Sequence, residues 1–300
     1  MTRDTGLHYQ ELPIDPSVNM LSVDVECWHH LALRNVTGET LPPCRACAEM
    51  TRDLLALFRE KHARGTFFVL RSIAETYPDL VREIAAAGHE VATHGDSHTP
   101  CFKLTPKELR EELKRSADCL GELTGDRVAG FRAPEFSVTN QSLWVFDVLC
   151  ALGFQYDSSV FPIAGPRYGI PDFPRGPVRV HAGGGSLIEV PLSTVRLRGK
   201  NRPVAGGGYF RLMPYPLFRR AFQRVNRDGF PFVFYCHPYE YSAHRLSLHP
   251  FTSRAVPFRG RLMELKYNLF RNAMRKRLEQ MLDEFRFAPI REVLGNALDS

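Results

Sequence analysis

Short apolar runs rich in β-branched and aromatic residues alternate along this chain with longer segments that carry apolar residues at helical spacing. A strand–helix–strand repeat of that kind leaves few architectures open. It argues for a parallel sheet with helices outside it, either wound open or closed into a barrel. The strands read as 21–27, 65–70, 90–93, 128–131, 155–160, 187–192 and 230–236, and the helices between them as 46–62, 79–87, 105–123, 140–152 and 214–227. Gly88 is a good residue to close the second helix. Thr105-Pro106-Lys107-Glu108 has the form of a capping box with proline in the first turn. No internal repeat is visible.

Two stretches break the pattern. Residues 161–185 are rich in proline and glycine and read as a long loop inserted in the barrel, of a length usually reserved for function. Residues 204–208 are glycine-rich and lead into Tyr209-Phe210-Arg211. Beyond them, 259–285 is expected to form one long amphipathic helix with Leu262, Leu265, Leu269, Met274, Leu278, Met281 and Leu282 on its apolar side. Its basic face reads as a solvated one, with a membrane-surface role as the weaker alternative. The expected organisation is an extension over 1–20, a catalytic domain over 21–240 and a C-terminal helical extension over 241–300 that packs on it.

With 44% apolar residues among 300, the chain can bury a sizeable core. A net charge of +6 from 39 bases and 33 acids is modest and suggests no nucleic-acid partner. No transmembrane segment is expected, because no window approaches 18 uninterrupted apolar residues. Residues 1–16 show no apolar leader core, so cytoplasmic residence is expected. Seven scattered cysteines fit free thiols in a reducing compartment. Cys44 and Cys47 form a C-x-x-C at a helix start, with no second pair evident to complete a zinc site, and read as two cysteines on a helix.

The chemistry-bearing residues gather where strands run into loops, which in parallel α/β sheets is where ligands bind. Asp24 and Glu26 stand two apart on an apolar strand and therefore share a face. Carboxylates placed there must pair, hydrate or ligate, since a buried unpaired charge is costly. His94 and His98 follow another strand at i and i+4. With a carboxylate they make a three-ligand set that leaves coordination positions open, as a hydrolytic metal site requires. The plainer reading makes them loop residues capping the next turn, with Asp96 between them as a supporting acceptor or a turn residue. Arg132 stands ready to orient a carboxylate base, or simply to pair with one of the two acids. His237 ends the most apolar strand, as a core residue or a general acid. Asp157, at another strand end, is placed to hold one ring nitrogen. His29 and His30 remain reserve ligands, while His62, His89, His181, His244 and His249 look like surface or loop residues.

Taken in order, VDVE at 23–26, THGDSH at 93–98, FRAPEFS at 131–137, YDSS at 156–159 and FYCHP at 234–238 resemble the polysaccharide deacetylase family, the NodB-homology carbohydrate esterases. The segment around GTFFVL and AAAGHEVATHG is similar as well. The resemblance covers roughly residues 21–238. It implies a distorted (β/α)7-type barrel, a divalent metal (zinc foremost, with cobalt, nickel, manganese or iron as alternatives) and removal of N-acetyl groups from amino sugars.

Carried over by motif, the resemblance makes Asp24 the general base with Arg132 as its partner. His94 and His98 become metal ligands, and His237 the general acid with Asp157 as its partner. The family's usual two adjacent acids are here separated by Val25, which assigns Glu26 to the metal. The GGGYFR segment is similar to an extension found in an exopolysaccharide-associated subgroup, where it suggests an added wall of the substrate groove. The expected partner is a carbohydrate, lipid-linked in one version of the reading, and an oligomer is allowed. The alternatives are a C–N hydrolase of the same fold acting on a small amide, formylated sugar lipid or ureide, and an inactive carbohydrate-binding relative.

Overall fold

A computed structural model describes residues 7–29, 42–165, 168–242, 245–251 and 256–298. Its centre is a run of parallel strands in the order β11–β2–β3–β4–β5–β6–β8. They span β2 (Asn19–Val25), β3 (Thr66–Val69), β4 (Glu90–Thr93), β5 (Gly130–Phe131), β6 (Tyr156–Asp157), β8 (Gly185–Glu189) and β11 (Val233–Cys236). The helices between them are α1 (Arg45–Glu60), α2 (Arg71–Thr76), α3 (Pro78–Ala86), α4 (Pro106–Thr124), α5 (Val145–Leu152), α6 (Gly207–Leu212) and α7 (Tyr215–Arg227). This is the α/β fold expected, a distorted barrel of seven parallel strands. The ladder is open between β8 and β11 among the described residues. There Ser193 stands in for a strand partner, its Oγ accepting the Val233 amide at 2.7 Å.

Register decides what faces the middle. Val25, Val69, Thr93, Phe131, Asp157 and Glu189 lie side by side across the sheet. Val25, Val69 and Phe131 of that row belong to the outer core under the helices. With a period of two, the rows on either side must face inward. The row below contributes Phe68, Ala92, Tyr156 and Ile188 to the inner core. The row above holds Glu26, His94, Arg132 and Ser158, at the carboxyl end of the barrel. Gly130 is glycine because the Tyr156 ring crosses its backbone: a Cβ there would sit 2.0 Å from a ring carbon.

Three expectations of local structure are corrected. The stretch 161–185 ends in a strand, β7 (Val178–Ala182), which pairs antiparallel with β8 and accepts β1 (His8–Glu11) on its far side. Gly183 and Gly184, with φ of +56° and +78°, make the two-residue turn that joins β7 to β8. The helix expected over 259–285 is broken into α8 (Phe258–Asn268) and α9 (Met274–Glu284). At the break Phe270 takes a left-handed φ of +59°, and the buried Arg271 donates to the Ser242 carbonyl at 2.7 Å. Met274, Leu278, Met281 and Leu282 are buried as expected, whereas Leu262, Leu265 and Leu269 face solvent. His89 is buried against Phe67, its Nδ1 accepting the Gly65 amide at 3.2 Å; His62, His181 and His249 are exposed, and His244 lies outside the described residues.

The capping box at Thr105 is present, with the side chains of Thr105 and Glu108 each accepting the other's amide. The chain end returns to the barrel, where β12 (Phe287–Ala288) pairs with Asn19 and Met20 of β2. Among the described residues no helix is long and apolar enough to cross a membrane.

Candidate active site

The upper inward row brings Glu26 and His94 to one place, and the loop after β4 turns back to deliver His98. Gly95 and His98 both take positive φ in that turn, +85° and +58°. A histidine in the left-handed region is uncommon enough to suggest that the loop is shaped for a purpose. Asp96 stabilises it from outside the site: its carboxylate accepts from Arg71 Nε at 2.8 Å and from Arg115 Nη2 at 3.2 Å.

One ligand atom from each of Glu26, His94 and His98 lies within 4.8 Å of the others, and all three residues are buried. Glu26 Oε2 rests against His98 Nε2 and is 3.9 Å from His94 Nε2. The tautomer of His94 follows from its partner. Nδ1 is 2.8 Å from the Arg132 carbonyl, which can only accept, so Nδ1 carries the proton and Nε2 presents its lone pair inward. Burial, only partly opposed by Asp24 and Glu26, lowers the His94 pKa to about 4 and keeps the ring neutral. Burial also pushes against ionisation of Glu26, but His98, His237 and His94 outweigh it and hold that carboxyl well below its ordinary range. An anionic carboxylate facing two imidazoles, one of them held neutral, is a donor set that fits a divalent cation with open positions.

Asp24 sits one inward step below Glu26. Its Oδ1 accepts from Arg132 Nη1 at 2.8 Å. The guanidinium is fully buried and also reaches Ser22 Oγ, the Ser158 carbonyl and Ser158 Oγ, while lying 4.1 Å over the Phe68 ring.

On the opposite flank, His237 Nε2 is 3.4 Å from Glu26 Oε1, and its ring stacks on Tyr239. The other nitrogen faces Glu240 Oε2 at 3.4 Å, and the same oxygen accepts the His237 amide at 2.9 Å. Burial works against a charged ring, yet Glu240, with Glu26 and Asp24, raises the His237 pKa to about 9.

Asp157 does not take the place expected for it. It belongs to the outward row, beside Phe131 and Glu189, and so lies on the other face of the sheet from His237. Its carboxyl accepts from Ser159, and burial raises its pKa above the ordinary carboxylate range. The partner of His237 is Glu240. The sequence carried a signal for it: His237-Pro238-Tyr239-Glu240 has the spacing of a capping box, and the structure forms one.

These groups open into a cavity of about 310 Å³ lined by Asp24, Glu26, His94, His98 and His237, with walls from Phe136, Tyr168, Tyr209, Tyr235 and Tyr267. The glycine-rich segment contributes to that wall through Gly208, Tyr209, Arg211 and Leu212. Two of its three glycines, Gly206 and Gly207, are required by close approach. A Cβ on Gly207 would fall 1.8 Å from a Glu240 carboxylate oxygen, and one on Gly206 would fall 2.4 Å from the Tyr235 ring. The two reserve ligands do not join the site: His29 lies with Cys27 and Cys44 instead, and His30 is outside the described residues.

Comparison with known proteins places these features. Residues 36–156 match the family model for polysaccharide deacetylase, and residues 158–295 match a domain of unknown function, DUF3473. A peptidoglycan deacetylase of Helicobacter pylori is 36% identical over 110 residues, 36% of this chain and 36% of that one. A peptidoglycan-N-acetylglucosamine deacetylase of Bacillus cereus is 30% identical over 97 residues, 32% of this chain and 35% of that one. The chain thus spans about a third of the length of the curated relatives it matches. A Mycobacterium smegmatis structure described as a polysaccharide deacetylase superposes with a TM-score of 0.59 at 20% identity, covering 95% of this chain and 91% of the other. One from Pseudomonas aeruginosa, similarly described, gives 0.56 at 16% identity over 91% and 88%.

Proposed function

We propose that this chain, which belongs to the polysaccharide deacetylase family through residues 36–156, is a metal-dependent hydrolase that removes N-acetyl groups from amino-sugar residues of a polysaccharide or its precursor. The observation that carries the reading is the convergence of Glu26, His94 and His98 beside a carboxylate held by Arg132 and an imidazole held by Glu240. The relatives named as deacetylases of peptidoglycan and of chitooligosaccharides support the substrate class.

Glu26, His94 and His98 would hold the cation, with zinc the best match to a mixed carboxylate–imidazole set. Bound there, a divalent cation supplies Lewis-acid polarisation of the attacking water and of the amide carbonyl. Asp24 accepts the water's proton as the oxygen attacks, and Arg132 fixes the carboxylate for that transfer. His237, kept protonated near neutral pH by Glu240, gives its proton to the departing amine, which would otherwise be a very poor leaving group. Acetate and a free amino sugar result. The aromatic walls, including Tyr209 from the glycine-rich segment, hold the sugar so that its N-acetyl group points at Glu26 and the two imidazoles.

The test is acetate release from N-acetylglucosamine oligomers, peptidoglycan and a lipid-linked amino sugar, run against small amides and ureides. Release from at least one glycan with a marked preference over small amides is expected. Turnover of the small amides alone would transfer the site to another C–N hydrolysis, and binding of glycans without turnover would make the chain a carbohydrate-binding relative. A cytoplasmic enzyme would act on the nascent or lipid-linked form and an exported one on finished polymer, so the preferred substrate also bears on the compartment and on a role in exopolysaccharide production.

A further inference from the structure

Cys44-x-x-Cys47 lacked a partner pair in the linear sequence, and the fold supplies one. Cys27 and His29 lie just beyond the end of β2, one and three residues past Glu26, and they come up against the start of α1. One ligand atom from each of Cys27, His29 and Cys44 lies within 4.8 Å of the others. Cys44 Sγ is 3.7 Å from Cys27 Sγ, and Cys47, three residues further along the start of α1, lines the same cavity as both. The Cys44 amide donates to Cys27 Sγ at 3.3 Å. From these residues we infer a second metal site in the chain, held by Cys27, His29 and Cys44 with Cys47 turning in as the fourth ligand, for zinc or a similarly thiophilic divalent cation.

Three features separate this site from a chance meeting of thiols. The sulfur spacing is that of tetrahedral coordination: bonds of ~2.3 Å to one zinc put two thiolates about 3.8 Å apart. A disulfide needs ~2.05 Å between sulfurs, far from the spacing seen. The donors are oriented. The His29 ring is stacked on Phe251 at 4.1 Å with 20° between planes, and a backbone amide already serves the Cys27 sulfur, as outer hydrogen bonds do for metal thiolates. Both cysteines of the C-x-x-C stand at the N-terminal end of the 16-residue α1, with Cys44 as its N-cap, so a single helical turn fixes their spacing.

The site has a purpose in the architecture. A cation there ties the end of β2 to the start of α1. Glu26 is the neighbour of Cys27, and both border a cavity of about 480 Å³ that also touches Cys44 and Cys47 and gives a cation a path in. The cation would be structural, with all four positions taken by protein, and would hold Glu26 in place without entering the reaction.

The test is metal analysis and cobalt spectroscopy on the whole chain purified under reductant. Wild type is expected to hold two equivalents of zinc. His98→Ala should lose the equivalent belonging to the hydrolytic site and keep the other, whereas Cys44→Ser/Cys47→Ser should do the reverse. Cobalt-loaded wild type and His98→Ala should both show thiolate-to-cobalt charge-transfer absorption. If the cysteine variant fails to fold, the His98→Ala spectrum decides alone. Folded, cobalt-loaded protein without that absorption would overturn the inference, and so would a thiol count showing Cys27 and Cys44 joined as a disulfide. Neither result touches the hydrolytic reading, which loses its cation only with His98.

Discussion

Asp24→Asn separates two things that the buried pair does at once. In the folded chain the Arg132 guanidinium is fully enclosed, and Asp24 is the only anion among its hydrogen-bond partners in the described structure. Asparagine keeps the shape and an acceptor oxygen but removes the charge. Removing one partner of a buried ion pair costs about 3–5 kcal/mol, because the remaining charge stays desolvated. Two serine hydroxyls, one carbonyl and the Phe68 face continue to serve Arg132, so the lower end, ~3 kcal/mol, is expected. Urea unfolding of chelator-treated proteins, which removes metal linkage, should show a midpoint lowered by roughly 1 M. Adding Arg132→Met should recover part of the loss, giving a coupling of at least ~1 kcal/mol in the double-mutant cycle. Acetate release by folded Asp24→Asn should fall by about a hundredfold or more, the scale of a lost general base. Stability within ~1 kcal/mol of wild type would refute the buried-pair argument, and near-wild-type turnover would refute the proton-transfer role.

Glu240→Gln should lower the His237 pKa, since Glu240 is the largest cause raising it, and so shift the alkaline limb of the pH–rate profile to lower pH; an unmoved limb would exclude His237 as the acid. Gly207→Ala should cut kcat more than it raises KM, because a Cβ there collides with the Glu240 carboxylate; steady-state kinetics check this, and unchanged kcat contradicts it. His89 has its folded pKa lowered from 6.5 to about 4 by burial and by Arg64. The unfolded chain therefore binds its proton more tightly, and stability falls as pH drops from about 6.5 through 4, by an amount on the order of 3 kcal/mol. Urea midpoints across that window should be flatter in His89→Asn, and identical slopes would remove His89 as the cause.

The order of strands and helices was legible because parallel strands here are buried on both faces and their helices are amphipathic, so the two periods stand apart. What the sequence could not show was parity. Asp157 belongs to a strand of two residues, too short to reveal which side faces inward, and a motif-based partner for His237 ended on the wrong face. Glu240 was within reach through its capping spacing, but a capping box looks like local structure until the histidine it caps is seen to face Glu26. The glycine-rich segment gave no chemistry of its own, because its function is to let Glu240 and Tyr235 approach the backbone. Cys44 and Cys47 looked incomplete for a similar reason: their partners are near in space and 15 or more residues away along the chain.

The most direct test of the central claim is acetate release by chelator-stripped protein before and after zinc is returned, for wild type and for His98→Ala. If Glu26, His94 and His98 share one catalytic cation, stripped wild type is inactive, recovers with zinc, and His98→Ala recovers little at any zinc concentration that wild type needs. Full turnover by stripped wild type, or equal recovery by His98→Ala, would contradict it.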